Sequence, residues 1–225
     1  MSVRLARRFH SLSWVRRSLL VGGVLFVVWE SVTKNPSLAV RATRDALLFI
    51  VVPLALAAAY GRHIGWRVDR TAVRNTLLLT LFVFPFYLVG SSLPSIRSYY
   101  PMWETSTALG EFLPHFAFQF VVALAAETYF RGLLCVGVRD LGRKAIFISP
   151  LLYAVHHIHK PPIEIVLSGP TDVLFGFVDY ESNSILPSVV AHGIGLNFLD
   201  WLVLHDPVVP PERAVSWLSW LPVGL

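Results

Sequence analysis

Long apolar runs separated by clusters of arginine constrain this chain more than any other feature. The arginines gather near the N-terminus, in a loop at 61–75 and in a second loop at 139–144. Hydrophobic residues make up 55% of the chain and charged residues only 15%, against about 25% charged residues in soluble proteins. The runs between the clusters are about as long as a helix needs to cross a bilayer. The pattern predicts an all-α, polytopic membrane helix bundle whose basic loops face the cytoplasm.

About seven or eight spans are expected. The first follows the N-terminal arginines Arg4, Arg7, Arg8, Arg16 and Arg17 and, because no small-residue cleavage site follows it, is interpreted as an uncleaved anchor. The later apolar runs are 46–60, 76–93, 107–138, 145–158, 163–178 and 184–204. Pro53 is predicted to kink the second run without ending it. The aromatic loop at 94–106 is predicted to lie on the outer side of the membrane.

The ionisable residues are distributed unevenly among these runs. The first three runs hold almost none, and the later runs hold nearly all of them. We therefore predict supporting transmembrane helices at 1–106 and a functional core at 107–204. The tail at 205–225, with tryptophans three residues apart, is predicted to lie along the membrane interface.

Glu127 and Arg131 form a charged pair inside an apolar run. A charge at the bilayer centre costs about 2.5 to 3.5 kcal/mol, so few are placed there without a use. The two residues are four apart, with the acid first, which favours an ion pair on one helix face. One interpretation is a salt bridge that only neutralises itself. The histidines His156, His157 and His192, on the following runs, favour instead acid–base chemistry on a water molecule or a metal site.

Other polar residues in the apolar runs have simpler interpretations. Glu111 and His115 are four apart, but they suit a helix entrance at the interface. Asp172 and Asp179 are placed near the ends of a short run, within reach of water. Cys135 is the only cysteine, which excludes an intrachain disulfide and suggests a packing role.

The basic residues do not indicate a nucleic-acid partner. A nucleic-acid interface needs its basic side chains on one continuous face with aromatic residues among them. Here the basic clusters are separated by runs of bilayer length. The expected surroundings are therefore the lipid bilayer, with no nucleic acid.

Three short motifs follow one another in the core. They are "AETYFRG", with Glu127 and Arg131; "YAVHH", with Tyr153 and His157; and "HGIGLN", with His192. In this order and spacing they resemble the CPBP family of intramembrane proteases (CAAX-protease and bacteriocin-processing, or Abi). That family carries Glu-Glu-x-x-x-Arg, Phe-x-x-x-His and His-x-x-x-Asn or Asp on successive membrane helices. The resemblance extends over roughly 107–204.

The resemblance implies a metal-free, glutamate-dependent endopeptidase. Glu127 and His157 would activate a water molecule, and His192 with Asn197 would stabilise the oxyanion. Arg131 would hold Glu127 in place. The remaining residues predicted to support the site are Tyr153, His156 and Asp200. The implied substrate is a membrane-anchored or prenylated (CAAX-type) protein or peptide, and the expected location is the plasma membrane of a prokaryote.

The chain departs from the family pattern at two positions. Ala126 stands where the family has the first glutamate of its pair, the residue normally taken as catalytic. In the third motif Leu196 holds the fourth position, and Asn197 would lie about 140° around a regular helix from His192. These departures favour a second hypothesis, a catalytically degenerate protein of the same fold that acts as a scaffold or immunity factor.

Zinc is the alternative explanation for an acid clustered with histidines. A catalytic zinc site needs three protein ligands and one open position, which Glu127, His157 and His192 would supply. The cation of Arg131, however, would weaken Glu127 as a ligand for a dication. We therefore predict no bound metal and no other cofactor.

Overall fold

All regular secondary structure in the described part of the chain is helical. A computed structural model describes residues 9–32, 37–221 and 223–224, so the arginines at positions 4, 7 and 8 lie outside the described residues. The helices are α1 (Trp14–Val32), α2 (Leu38–Ala59), α3 (Arg70–Gly90), α4 (Pro94–Arg97), α5 (Leu109–Leu133), α6 (Val136–Phe147), α7 (Ser149–His156), α8 (Pro162–Ser182), α9 (Leu186–Val203) and α10 (Pro211–Leu218). No strand occurs among the described residues. The prediction of an all-α membrane bundle is confirmed.

Four helices are long and apolar enough to cross a membrane. They are α2, α3, α5 and α9, which contain 22, 21, 25 and 18 residues. The two longer helices among the rest are more charged, since α1 carries Arg16, Arg17 and Glu30 and α8 carries four carboxylates, Glu164, Asp172, Asp179 and Glu181. The other helices are short. Many large apolar side chains of the four helices are exposed, among them Leu81 at 72% and Leu113 at 59%. This exposure is what a lipid-facing surface requires, because lipid solvates apolar side chains.

Two of the spanning helices contain a segment of π-helix. In α2 the segment Ala46–Val51 ends two residues before Pro53. Because proline lacks an N–H and its ring crowds the carbonyl group one turn earlier, the wider turn lets the helix continue, as predicted. In α5 the segment Thr128–Leu133 follows Glu127 and contains Arg131. Single π turns inside α-helices are frequent at functional sites.

The boundaries of two predicted segments differ from those in the structure. Helix α3 begins at Arg70, so Arg70 and Arg74 lie on a helix rather than in the predicted loop at 61–75. The run at 145–158 does not form one helix. Its first residues belong to the irregular α6, where Gly142 has φ +63°, and the rest form α7, of only eight residues. At 1.5 Å per residue α7 is about 12 Å long, too short to cross a bilayer.

The N-terminal helices are attached to the core by specific buried contacts. The Trp14 indole N–H donates to the Gly137 carbonyl at 2.6 Å, and the Tyr129 hydroxyl donates to the Gly22 carbonyl at 2.7 Å. Leu25 and Trp29 of α1 also pack in one apolar cluster with Tyr129 and its neighbours. Helix α1 is therefore part of the bundle that surrounds the polar site.

The loop between α2 and α3 closes one end of the bundle. The Gly65 carbonyl accepts a hydrogen bond from the Ile185 N–H at 2.9 Å, and Ser184 Oγ donates to the Arg67 carbonyl at 2.6 Å. Gly65 has φ +85°, and a Cβ there would lie 2.8 Å from the Ile185 side chain. Only glycine fits both the backbone conformation and the space. This contact fixes the start of α9, which carries His192.

Candidate active site

A carboxylate and an imidazole meet at the interface of α5 and α9. Glu127 Oε1 lies 2.5 Å from His192 Nδ1. Glu127 is fully buried, whereas the His192 side chain is 21% exposed. Because a carboxylate only accepts, His192 donates through Nδ1 in this contact, and its Nε2 is not used by Glu127. The structure thus joins the first and third motifs directly.

Arg131 lies between two buried carboxylates. Its Nε is 3.1 Å from Glu127 Oε2, and its Nη2 is 2.7 Å from Asp172 Oδ1. All three side chains have 0% exposure. Asp172 is held in turn by Ser149 Oγ, which donates to Oδ2 at 2.6 Å. Two carboxylates face one guanidinium, so the group carries one excess negative charge, which an imidazolium at His192 would balance.

His157 is connected to this group through Tyr153. The guanidinium of Arg131 lies 4.5 Å from the centre of the Tyr153 ring, which in turn lies 4.2 Å from the His157 ring. His157 Nδ1 is 2.8 Å from the Tyr153 carbonyl oxygen, to which it donates, so its Nε2 is left with a lone pair. His157 therefore lies at the border of the site rather than in direct contact with Glu127.

His156 points in another direction. Its ring lies 4.5 Å from the Trp29 ring and 5.9 Å from the Phe130 ring. The second motif thus presents its two histidines to different surroundings. Only His157 lies beside the Tyr153–Arg131 contact, and His156 packs against the N-terminal helices.

Asn197 does not join His192. Helix α9 is regular from Leu186 to Val203, and the Asn197 side-chain amide donates to the Gly193 carbonyl of its own helix at 2.8 Å. The helix stays regular at Gly193 and Gly195. Each lets a neighbouring aromatic ring approach, Phe120 in the first case and Tyr87 in the second.

Two buried features were not expected from the sequence. Asp172 and Asp179 are both 0% exposed, so the prediction that they reach water near the ends of a run is wrong. Asp172 is part of the charge cluster, and Asp179 accepts hydrogen bonds from the Ser188 N–H and hydroxyl. Asp172 could have been identified from the sequence as a candidate site residue, because it is a carboxylate in an apolar run just as Glu127 is.

The second feature is a buried pair between His115 and Asp200. His115 Nε2 lies 2.7 Å from Asp200 Oδ2, and their side chains are 4% and 0% exposed. His115 is therefore not a residue of the helix entrance, as its sequence position suggested. Asp200 is engaged in this pair through Oδ2, and no contact with Glu127 or His192 is found among the described residues. Nothing in the sequence indicates the pairing, since the residues lie 85 positions apart.

The residues at the site do not fit zinc. Glu127 is engaged by His192 through one oxygen and by Arg131 through the other. A cation next to the carboxylate opposes binding of a second cation. Among the described residues, no group of three or more histidine, cysteine, aspartate or glutamate side chains is placed to hold a metal ion. The absence of a metal or other cofactor in the working protein stays a prediction.

The comparisons with known proteins agree with the motifs. The family model described as "Type II CAAX prenyl endopeptidase Rce1-like" matches residues 108–198. The predicted resemblance to a CAAX-protease family is confirmed over this segment. The matched Rce1-like segment contains Glu127, Arg131, His157, His192 and Asn197. Comparison with curated proteins and with solved structures gave no significant match.

Family and fold together define the general class of the protein. The Rce1-like family is a family of CAAX proteases, and the four long apolar helices indicate an integral membrane protein. At the level of the family, the chain is thus related to membrane-embedded peptidases.

Proposed function

We propose that this protein is an intramembrane endopeptidase that cleaves a membrane-anchored or prenylated (CAAX-type) protein or peptide. The observation that carries the proposal is the buried Glu127–His192 pair, held by Arg131 in the Rce1-like segment. A carboxylate that fixes the tautomer of a histidine and balances its positive charge is a recurrent device for general base catalysis.

The geometry favours a division of labour within the pair. Both oxygens of Glu127 are engaged, so we propose that His192 Nε2 takes the proton from the attacking water. The water oxygen then bonds to the carbonyl carbon of the scissile peptide, and the imidazolium later gives its proton to the leaving amine. Glu127 holds His192 in the required tautomer and balances the imidazolium charge, while Arg131 keeps Glu127 ionised and oriented.

His157 is assigned as the partner in water activation. Its Nδ1 is occupied by the Tyr153 carbonyl, so Nε2 offers a lone pair that accepts a hydrogen bond from the water. Asn197 is not included on the oxyanion side, because its amide is used within α9. We propose that the reaction proceeds without a metal, and that the protein resides in the plasma membrane of a prokaryote.

The test compares cleavage by purified protein in lipid nanodiscs. A prenylated CAAX peptide is incubated with the wild type, with Glu127→Ala and with His192→Ala, and the products are identified by mass spectrometry. Loss of an acid–base group is expected to reduce kcat by about 10² to 10⁴-fold. Glu111→Ala is the control, since Glu111 is an exposed carboxylate on the same helix. Unchanged cleavage by Glu127→Ala would remove the assignment.

A second function is favoured by one observation. Ala126 replaces the first glutamate of the family motif, and the remaining Glu127 is fully enclosed by protein contacts. Under this alternative the protein binds a membrane-anchored partner without cutting it, as a scaffold or immunity factor. The variant Ala126→Glu separates the two functions. Cleavage that appears only in Ala126→Glu indicates a degenerate site, whereas cleavage by the wild type supports the peptidase.

A further inference from the structure

Buried polar side chains continue along the α5–α9 interface beyond the candidate active site. The His115–Asp200 pair forms one contact across this interface, with its atoms 2.7 Å apart. The close approach of Gly193 to Phe120 and Ala123 forms another, since a Cβ on Gly193 would lie 2.7 Å from the Phe120 ring. Because the two helices run antiparallel, Gln119 on α5 and Asn197 on α9 lie between these two contacts.

Several polar atoms in this stretch have no hydrogen-bond partner among the described residues. They are Oε1 and Nε2 of Gln119, Oδ1 of Asn197 and Oδ1 of Asp200. The three residues are 0%, 1% and 0% exposed. Burying such a group without a partner is costly in protein interiors, and native proteins satisfy nearly all of them. The cluster therefore requires a ligand that hydrogen-bonds.

The ligand must both donate and accept. Gln119 leaves one acceptor and one donor group without a partner, and exchanging the positions of its side-chain oxygen and nitrogen does not change that count. Asn197 and Asp200 add acceptors only. A metal cation would satisfy the oxygens but not the amide N–H groups of Gln119. Water satisfies both kinds of group, and buried waters typically make about three hydrogen bonds to such groups.

We propose that Gln119, Asn197 and Asp200 bind internal water molecules, which form a hydrated site between α5 and α9 inside the membrane. This water site stands on the buried polar atoms alone. A further role, the supply of the hydrolytic water to the Glu127–His192 pair, rests on the proposed peptidase function. The His115–Asp200 and Glu127–His192 pairs both join α5 to α9, and Gln119 and Asn197 lie between the two pairs.

The water site is tested on the wild-type protein by solid-state NMR in lipid bilayers. Magnetisation transfer from water to the side-chain amides of Gln119 and Asn197 is compared with transfer to the buried ring of Phe130, which is 1% exposed. Rapid transfer to both amides and slow transfer to Phe130 are expected. Slow transfer to the amides would overturn the proposal, as would rapid transfer that appears only when Na⁺ or K⁺ is added.

Variants assign the signals and test the supply of water. Gln119→Leu removes the Gln119 amide and its signal, and it is expected to reduce the water signal of Asn197. If the leucine variant does not fold, Gln119→Asn, whose amide is displaced by the loss of one methylene group, tests the same reduction at Asn197. Phe118→Leu, one residue away and 41% exposed, is the matched control and should change neither signal. If the waters feed the reaction, Gln119→Leu should lower kcat about tenfold, as expected for loss of one buried hydrogen bond, with KM unchanged.

The two parts of the proposal have separate outcomes. Unchanged kcat in a Gln119→Leu protein whose Asn197 amide has lost its water signal overturns the supply role. A wild type that does not cleave any substrate overturns the peptidase, and the NMR measurement still decides whether the water site exists.

Discussion

Arg131 is the residue on which the charges of the site depend. It contacts Glu127 at 3.1 Å and Asp172 at 2.7 Å, and none of the three is exposed. Charges are tolerated inside a protein only where opposite charges and hydrogen bonds replace the lost water. Removal of the guanidinium would leave two buried carboxylates facing each other.

Arg131→Met is therefore expected to destabilise the protein by roughly 3 to 5 kcal/mol, the cost of breaking a buried ion pair from one side. The measurement is thermal unfolding of the detergent-solubilised protein. Arg143→Met is a matched control, because Arg143 contacts Glu181 at the same distance of 3.1 Å but its side chain is 74% exposed. The control should cost at most about 1 kcal/mol. Equal losses in the two variants would contradict this account of the charge cluster.

At this scale the sequence revealed which residues are unusual but not how they pair. Glu127, Arg131 and His192 stood out because charged and histidine side chains are expensive in apolar runs. The partners of Asp172, Asp200 and Asn197 depend on how far each helix is rotated and displaced in the bundle. A spacing of 85 positions between His115 and Asp200 leaves no local pattern to detect.

At the scale of helices, the contact between α3 and α9 depends on Gly195. A Cβ on Gly195 would lie 2.2 Å from atoms of the Tyr87 ring, whose hydroxyl group donates to the Ala191 carbonyl at 3.2 Å. Small residues allow this kind of close approach between membrane helices. The same helix carries His192 three residues earlier, so the contact also positions the site.

Gly195→Ala is expected to push Tyr87 away and cost about 1 to 3 kcal/mol, as overpacking does. Unfolding of the variant in detergent measures the loss. Gly169→Ala is the control, because nothing lies within 4 Å of a Cβ there. In α8 that change should be neutral or stabilise the helix by up to about 1 kcal/mol. A Gly195→Ala protein as stable as the wild type would show that α3 and α9 are not packed as described.

The start of α3 depends on a capping carboxylate. Asp69 Oδ1 accepts a hydrogen bond from the Ala72 N–H at 2.9 Å, and this bond, together with Arg67, holds the pKa of Asp69 below its ordinary value of 3.8. Because the folded-state pKa is lowered, the capping contribution is complete above pH 3.8 and is lost as the pH falls through the lower folded value.

Amide hydrogen exchange at Ala72 and Val73 should therefore accelerate at acid pH beyond its intrinsic trend. Asp69→Asn keeps a good N-cap without a titrating group, so the extra acceleration should disappear. Asp69→Ala should show rapid exchange at all pH values. Identical pH profiles in the wild type and Asp69→Asn would mean that the cap does not titrate.

The helices themselves were largely predictable, and their interruptions were not. Apolar length identified α2, α3, α5 and α9, because a bilayer demands about 20 apolar residues per crossing. The irregular course of α6 depends on the non-helical backbone at Val138 and Gly142. Similarly, the π turn at Thr128–Leu133 interrupts a continuous α-helix, and its sequence contains no proline or pair of glycines from which the interruption could be predicted.

At the scale of the whole molecule, the two ends of the bundle differ in charge. The loop at 61–69 and helix α6 carry five basic residues, Arg62, Arg67, Arg139, Arg143 and Lys144. The loops at the opposite end, 91–108 and 157–161, carry Arg97 and Lys160. The excess of basic residues predicts that the first end faces the cytoplasm.

Cysteine labelling in intact cells tests this orientation. In a Cys135→Ala background, Glu104→Cys and His159→Cys should react with an impermeant maleimide from outside. His63→Cys and Asp140→Cys should react only after permeabilisation. All four positions are exposed. Reversal of the pattern would invert the bundle and place the basic loops outside.

The hydrogen bond from Trp14 to Gly137 has a consequence for biosynthesis. The two residues are 123 positions apart, and ribosomes add roughly 5 to 20 residues per second. Helix α1 is thus made on the order of ten seconds before its acceptor carbonyl exists. During that time the indole N–H of Trp14 depends on water, lipid headgroups or the insertion machinery. The buried hydrogen bond of Trp14 can therefore form only after α6 has been made.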